Sequence, residues 1–109
     1  MTFKEFCRTV LTYFEEHTHK KPATLLKYIH FKKESLIFDR YNATFYYNGY
    51  AYLLRYVGWW ELLEIATKEG RENILLHKEY TIELCLDFMW TYKNIKKLLF
   101  KTKTRKIIK

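Results

Sequence analysis

Histidine and carboxylate side chains are the groups in this sequence best suited to catalysis or metal binding. His17 and His19 are the closest pair of metal-ligand type. Two positions apart on a helix, their side chains point about 200° away from each other, so they converge on one ion only if the helix ends at His17. For an enzyme, Glu15, Glu16 and these two histidines are the first positions to test. The adjacent carboxylates are more typical of a solvated helix face.

No residue pattern predicts nucleophilic catalysis or a bound cofactor. Three glycines do not build a phosphate-binding loop. Cys7 or Cys85 beside His30 or His77 is the alternative that remains for a nucleophile. Both cysteines lie in apolar patterns, where burial disfavours the thiolate. We therefore expect a protein that is not an enzyme, with no catalytic residues, no metal site and no cofactor.

The positive charge of the chain is concentrated at its C-terminus. The 109 residues carry 20 Lys and Arg against 12 Asp and Glu, a formal net charge of +8. All acidic residues lie at or before Asp87, so the charges of residues 1–92 sum to zero. The basic residues beyond are Lys93, Lys96, Lys97, Lys101, Lys103, Arg105, Lys106 and Lys109. We predict one compact domain over residues 1–92 and a basic helix and tail over residues 93–109.

Size and composition restrict the class of protein. A chain of 109 residues is one domain, and 49% hydrophobic residues argue against disorder. The longest uncharged stretch, residues 41–54, is shorter than the roughly 20 apolar residues of a membrane-spanning helix. The start of the chain lacks the apolar segment of a signal peptide. Two cysteines indicate reduced thiols in a cytoplasmic protein, with one long-range disulfide as the alternative.

Apolar residues that recur every three to four positions predict three helices. Residues 2–18 begin with a capping box, Thr2-x-x-Glu5, in which each side chain accepts from an otherwise unpaired backbone N–H. Residues 59–69 form an amphipathic segment that stops before a glycine. Residues 94–103 carry lysines opposite an isoleucine and two leucines.

Alternating apolar and polar residues predict an antiparallel sheet. Asn48-Gly49 favours a two-residue hairpin turn, because a type I′ turn needs positive φ at both positions. Residues 36–40 and 80–88 are read as further strands, with one helix over residues 74–100 as the alternative for the latter. Residues 22–31 fit a short helix or a strand. The hairpin pairs are Tyr47 with Tyr50, Phe45 with Tyr52 and Ala43 with Leu54. The predicted fold class is α+β, an antiparallel meander covered by helices.

The region of the hairpin is unusually aromatic, with nine Phe, Tyr or Trp side chains among residues 41–60. Both faces of the predicted hairpin carry them. Three interpretations remain open: packing in the core, a protein interface that includes a homodimer, and base stacking. The candidate interface residues are Phe45, Tyr46, Tyr47, Tyr50, Tyr52 and Tyr56.

The basic C-terminus also has several interpretations. Eight cations can bind nucleic-acid phosphates with a steep salt dependence, or an acidic protein surface. A membrane-surface helix needs a larger apolar face than this segment offers, and a solvated chain end is the simplest alternative. Lysine outnumbers arginine seven to one here, which favours diffuse attraction over specific recognition.

The segment Tyr-Asn-Ala-Thr-Phe-Tyr-Tyr-Asn-Gly-Tyr, residues 41–50, and the lysine-rich C-terminus belong to a chain rich in Lys, Ile, Leu, Tyr and Trp and poor in Gly and Pro. In this composition the whole chain resembles the small orphan accessory proteins of filamentous viruses that infect hyperthermophilic archaea. The resemblance implies a heat-stable protein in the host cytoplasm. It also implies an accessory role, such as binding DNA, binding host proteins or blocking immunity to foreign nucleic acid.

These patterns favour a non-enzymatic, viral accessory protein that binds a host macromolecular complex, for example a nucleic-acid-processing or CRISPR-type immunity complex. The alternative is a DNA- or RNA-binding protein of low specificity that uses the basic C-terminus. The expected partners are therefore a host protein complex, nucleic acid, or both, with a second copy of the chain as a further candidate and no membrane span.

Overall fold

The chain folds as a five-stranded antiparallel sheet with helices, in a computed structural model that describes residues 1–47, 50–66 and 74–91. The elements in chain order are α1 (Phe3–Thr18), α2 (Pro22–Leu25), β1 (His30–Lys33), β2 (Tyr41–Tyr47), β3 (Tyr50–Tyr56), β4 (Trp60–Ala66), β5 (Ile74–Glu79), α3 (Ile82–Leu86) and a 3₁₀ segment (Asp87–Thr91). Each strand pairs with its neighbour in sequence, so the sheet order is β1-β2-β3-β4-β5. The α+β class is confirmed.

Helix α1 begins where the sequence predicts. The Oγ1 of Thr2 accepts from the backbone N–H of Glu5 at 3.1 Å, and Glu5 Oε1 accepts from the backbone N–H of Thr2 at 2.7 Å. Phe6 and Phe14, which lie on one face of the helix, are fully buried. The helix ends at Thr18, because the capping residue His19 has a left-handed φ of 58° that breaks the helical path.

The hydrophobic core lies between α1 and one face of the sheet, which we call the inner face. The ring centroids of Phe6 and of Trp60 on β4 are 5.5 Å apart, and those of Phe14 and of Phe45 on β2 are 5.1 Å apart. Burying an aromatic side chain of this size contributes roughly 1.5–3 kcal/mol. The aromatic packing therefore holds the helix to the middle of the sheet. The opposite side of the sheet is called the outer face.

The register of β2 and β3 follows the expected pairing. Tyr47 lies opposite Tyr50, Phe45 opposite Tyr52, and Ala43 opposite Leu54. The turn residues 48–49 lie outside the described residues, so the turn type stays a prediction. The pairing places one aromatic set on the inner face and leaves Thr44, Tyr46 and Leu53 on the outer face.

The helix predicted over residues 59–69 is wrong, because Trp60–Ala66 form strand β4, and residues 67–69 lie outside the described residues. Trp60 and Leu62 alternate toward the core and are 4% and 0% exposed. In β4 they lie opposite Tyr56 and Leu54 of β3. A short apolar run satisfies both the helical and the strand period, and pairing with β3 and β5 decides between them.

The strand predicted over residues 80–88 is also wrong. Thr81 caps a helix instead, since its Oγ1 accepts from the backbone N–H of Leu84 at 3.1 Å. The buried positions, Ile82, Cys85, Leu86 and Met89, recur at three and four, whereas Leu84 is exposed. The strand in this part of the chain is β5, which ends at Glu79, just before the predicted one begins.

Residues 36–40 are a loop between β1 and β2 rather than the predicted strand. Residues 22–31 contain both alternatives, because Pro22 opens the short helix α2 and His30 begins β1. Proline suits the first helical turn, where its missing N–H costs nothing.

The predicted basic helix over residues 94–103 lies outside the described residues. Among the residues that the structure describes, no helix is long and apolar enough to span a membrane. Cys7 and Cys85 are both free thiols rather than a disulfide.

Candidate interaction site

Among the described residues, exposed apolar side chains gather in two places. The first is the β1–β2 loop, residues 34–40. The second runs from strand β5 through α3 to the 3₁₀ segment. The exposed residues there are Leu36, Ile37, Phe38, Ile74, Leu75, Leu76, Tyr80, Leu84 and Phe88. Single exposed apolar residues are normal on a surface, but contiguous sets of them mark contact sites.

The β1–β2 loop presents three consecutive apolar side chains. Leu36 is 94% exposed, Ile37 84% and Phe38 62%. Ser35 organises the turn, because its Oγ accepts from the backbone N–H groups of Ile37 at 3.1 Å and of Phe38 at 3.0 Å. The loop is closed at its base by a 2.8 Å hydrogen bond from Glu34 N to the carbonyl of Arg40. The apolar side chains thus stand on a backbone that is locally hydrogen-bonded.

The acidic side chains of the loop are used within the fold. Glu34 Oε2 accepts from the side-chain amide of Asn42 at 2.8 Å. The hydroxyl of Tyr41 lies 3.1 Å from Asp39 Oδ1 and 2.9 Å from the carbonyl oxygen of Met1. Burial and the hydrogen bond with Asp39 raise the pKa of Tyr41, so its hydroxyl stays a neutral donor. Both carboxylates are therefore hydrogen-bonded to side chains at the start of β2.

A cleft of about 330 Å³ lies beside the loop. Phe38, Asp39 and Arg40 line it on one side, and Tyr56 and Gly58 line it at the end of β3. The guanidinium of Arg40 sits 5.6 Å from the centroid of the Phe38 ring. Gly58 has a φ of 96°, a backbone conformation that residues with a side chain rarely adopt. The protruding loop and the cleft together form an uneven surface at one end of the sheet.

A charged network on the outer face is internally satisfied. Arg55 donates to Glu61 Oε1 through Nε at 3.0 Å and Nη2 at 2.6 Å, and Trp59 Nε1 donates to Glu61 Oε2 at 2.8 Å. The ammonium of Lys78 lies 4.4 Å from the Trp59 ring centroid. Burial acts to raise the pKa of Glu61, but hydrogen bonds from Trp59 and Arg55 outweigh it and lower that pKa. This carboxylate is thus ionised and structural, and it lies on a strand rather than on a helix.

A polar cluster joins α1 to the 3₁₀ segment. Tyr13 donates to Asp87 Oδ1 at 2.8 Å and accepts from Trp90 Nε1 at 2.7 Å. Burial and the neighbouring Asp87 raise the pKa of Tyr13. His17 stacks on Trp90, 5.1 Å between ring centroids, with its Nε2 3.6 Å from Asp87 Oδ1. Each member has a structural partner, so the cluster ties the two segments together.

Neither cysteine lies in surroundings that favour the reactive thiolate form. Burial raises the pKa of Cys85 to about 12, and that of Cys7 is raised by burial as well. Both are thiols at neutral pH, where the thiolate is the reactive form. Within residues 1–47, 50–66 and 74–91, no group of three or more His, Cys, Asp or Glu side chains could hold a metal ion.

The structure separates the predicted aromatic interface into two sets. Phe45, Tyr47 and Tyr52 lie in the core and are at most 8% exposed. The hydroxyl of Tyr47 donates to the carbonyl of Met89 at 2.9 Å. Tyr46, Tyr50 and Tyr56 are half-buried and keep some surface. The eight predicted basic residues from Lys93 onward lie outside the described residues.

Sequence reasoning missed the apolar loop, although a signal was present. Ser35 and Asp39 bracket the three apolar residues, and both types favour turns because their side chains hydrogen-bond to nearby backbone. The apolar run was instead read as a strand. Exposure of such a run is set by what packs over it, which the local sequence does not contain.

Comparison with protein-family models, with curated proteins and with solved structures finds no match for this chain.

Proposed function

We propose that this chain is a non-enzymatic accessory protein that binds a macromolecular complex through its β1–β2 loop. One observation carries the proposal: Leu36, Ile37 and Phe38 are exposed together on a loop whose backbone is held by its own hydrogen bonds. The resemblance to accessory proteins of archaeal viruses supplies the setting, a host complex in the cytoplasm, for example one that processes nucleic acid.

The energetics favour a protein partner with an apolar pocket. Burying each of the three side chains in such a pocket contributes roughly 1.5–3 kcal/mol. Because the turn at Ser35 already orders the loop, binding loses little further backbone freedom. Glu34 and Asp39 are engaged within the fold, whereas Lys32 and Lys33 are exposed beside the loop. The pocket is therefore expected to have an acidic rim.

The test is a quantitative affinity purification from the host cytoplasm with the full-length protein. Replacing Leu36 and Ile37 by Asp should reduce the capture of the partner complex by about tenfold or more, since about 1.4 kcal/mol corresponds to a factor of ten. Leu26→Asp is the matched control, because Leu26 is 53% exposed but lies outside the loop, at the end of α2. The captured complex is then purified and titrated with each variant. Equal affinity for the loop variant and the native chain would refute the loop as the contact.

Nucleic-acid binding by the basic C-terminus is the second candidate function. The observation that favours it is the concentration of the whole net charge of +8 in residues 93–109. Binding of a fluorescent DNA duplex would then fall steeply with salt. Replacing Lys96, Lys97, Lys101 and Lys103 by Gln in the full-length chain should weaken binding and flatten that salt dependence. Absence of binding at about 0.15 M salt would exclude this function and leave the protein partner.

A further inference from the structure

We propose that β5 is an interface between two copies of this chain. The two β5 strands pair antiparallel about a twofold axis and join the two five-stranded sheets into one. The inference does not rest on the proposed function, because it concerns the opposite edge of the sheet from the β1–β2 loop.

The first argument is the backbone of an edge strand. In the sheet order β5 has β4 as its neighbour on one side and no strand of the described chain on the other. Edge strands present unpaired N–H and C=O groups that select another extended strand as their partner. The partner chemistry is therefore a β-strand.

The second argument is the apolar surface along that edge. Ile74 is 41% exposed, Leu75 53% and Leu76 37%. The surface continues onto the neighbouring helical segment, where Phe88 is 42% exposed with its ring centroid 4.5 Å from that of His77 on β5. Leu84, four residues before Phe88, is 62% exposed. The open strand and the helical segment that contacts it therefore both expose apolar side chains.

The third argument is that this surface is complementary to itself. The apolar residues occupy the first half of β5, and the charged pair Lys78 and Glu79 ends it. An antiparallel pairing centred on Leu75 sets Ile74 of each copy opposite Leu76 of the other. The same twofold axis carries the two charged ends to opposite ends of the seam, where water reaches them. A closed twofold contact also uses up both open edges and does not propagate into fibres.

Sedimentation velocity of the full-length chain at tens of micromolar tests the proposal. We expect a species of about 27 kDa, twice the monomer mass of 13.5 kDa. Leu75→Lys places two ammonium groups at the twofold axis. It should shift the population to monomer and raise the dissociation constant of the dimer at least tenfold. Leu36→Lys is the matched control, since Leu36 is even more exposed but lies on the β1–β2 loop. Circular dichroism confirms that both variants keep the fold.

Hydrogen–deuterium exchange at high and low protein concentration separates strand pairing from other modes of association. Pairing centred on Leu75 predicts that amides of residues 74–76 become more protected at high concentration, while those of β1 do not change. A monomeric native chain at tens of micromolar overturns the proposal. A dimer that persists in Leu75→Lys, or that dissociates in Leu36→Lys instead, overturns it as well.

Discussion

The two edges of the sheet, β1 and β5, are built in opposite ways. β1 is four residues long and exposes Lys32 and Lys33, charged side chains that discourage the addition of another strand. β5 is six residues long, and its first three residues are apolar and exposed. The charged side chains of β1 disfavour pairing with a further strand, whereas the exposed apolar side chains of β5 favour it.

The two edges are also attached to the fold by different interactions. β1 is held from the inner face, where the Phe31 ring packs edge-on against Phe6 at 6.1 Å between centroids. β5 is held at the surface, by Lys78 over Trp59 on the outer side and by His77 against Phe88 on the other. Apolar core contacts stabilise more than exposed cation–π contacts do. We therefore expect β1 to be anchored more firmly than β5.

The largest expected effect comes from removing the anchor of β1. Phe31→Ala should lower the free energy of unfolding by about 3 kcal/mol, the low end for a Phe truncation because Phe31 is half-buried. Urea unfolding at low protein concentration measures it on the monomer. Leu75→Ala on β5 is the matched truncation and should cost less than about 1 kcal/mol, since Leu75 is exposed. Equal losses at the two edges would contradict the difference in anchoring.

Local sequence signals were enough for the parts of the fold that are decided locally. The capping box of Thr2 and Glu5 sets the start of α1, because its hydrogen bonds span only three residues. The spacing around residues 48–49 sets the register of Tyr47 with Tyr50, because a two-residue connection leaves one antiparallel pairing. In both cases the deciding groups are close in the chain.

Distant contacts decide the segments that the sequence predicted wrongly. Trp59, Leu62 and Leu63 fit one face of a helix, but pairing with β3 selects the strand instead. Ile82, Cys85 and Leu86 form an inward face that alternation concealed, and the hydroxyl of Thr81 starts the helix. The candidate site follows the same rule. The residue types Ser35 and Asp39 indicate a turn, but the exposure of the apolar residues between them depends on what packs around them in three dimensions.

An intermediate effect is expected from the carboxylate that supports the β5 edge. Glu61→Gln should lower the free energy of unfolding by about 2 kcal/mol at neutral pH, since charge-assisted hydrogen bonds from Arg55 and Trp59 are weakened. The folded-state pKa of Glu61 lies below its unfolded value. Its stabilisation is therefore complete above the unfolded value, about 4.3, and is lost as pH falls through the folded pKa.

Urea unfolding at neutral pH and at about pH 3 checks this dependence. The native chain should lose more stability on acidification than Glu61→Gln does, so the gap between them narrows at low pH. Glu83→Gln is the control, because Glu83 is exposed on α3. A gap that stays constant with pH would show that the charge of Glu61 is not what supports this edge.

The smallest expected effect concerns the contact between Lys78 and Trp59, which joins β5 to the residue that precedes β4. A double-mutant cycle with Lys78→Gln and Trp59→Leu should give a coupling of about 0.5–1 kcal/mol, the size of an exposed cation–π interaction. The cycle is needed because Trp59 also donates to Glu61, and that loss appears equally in both arms. A coupling near zero would leave His77 and Phe88 as the contact that holds β5, so the edge would be anchored from its inner side, as β1 is.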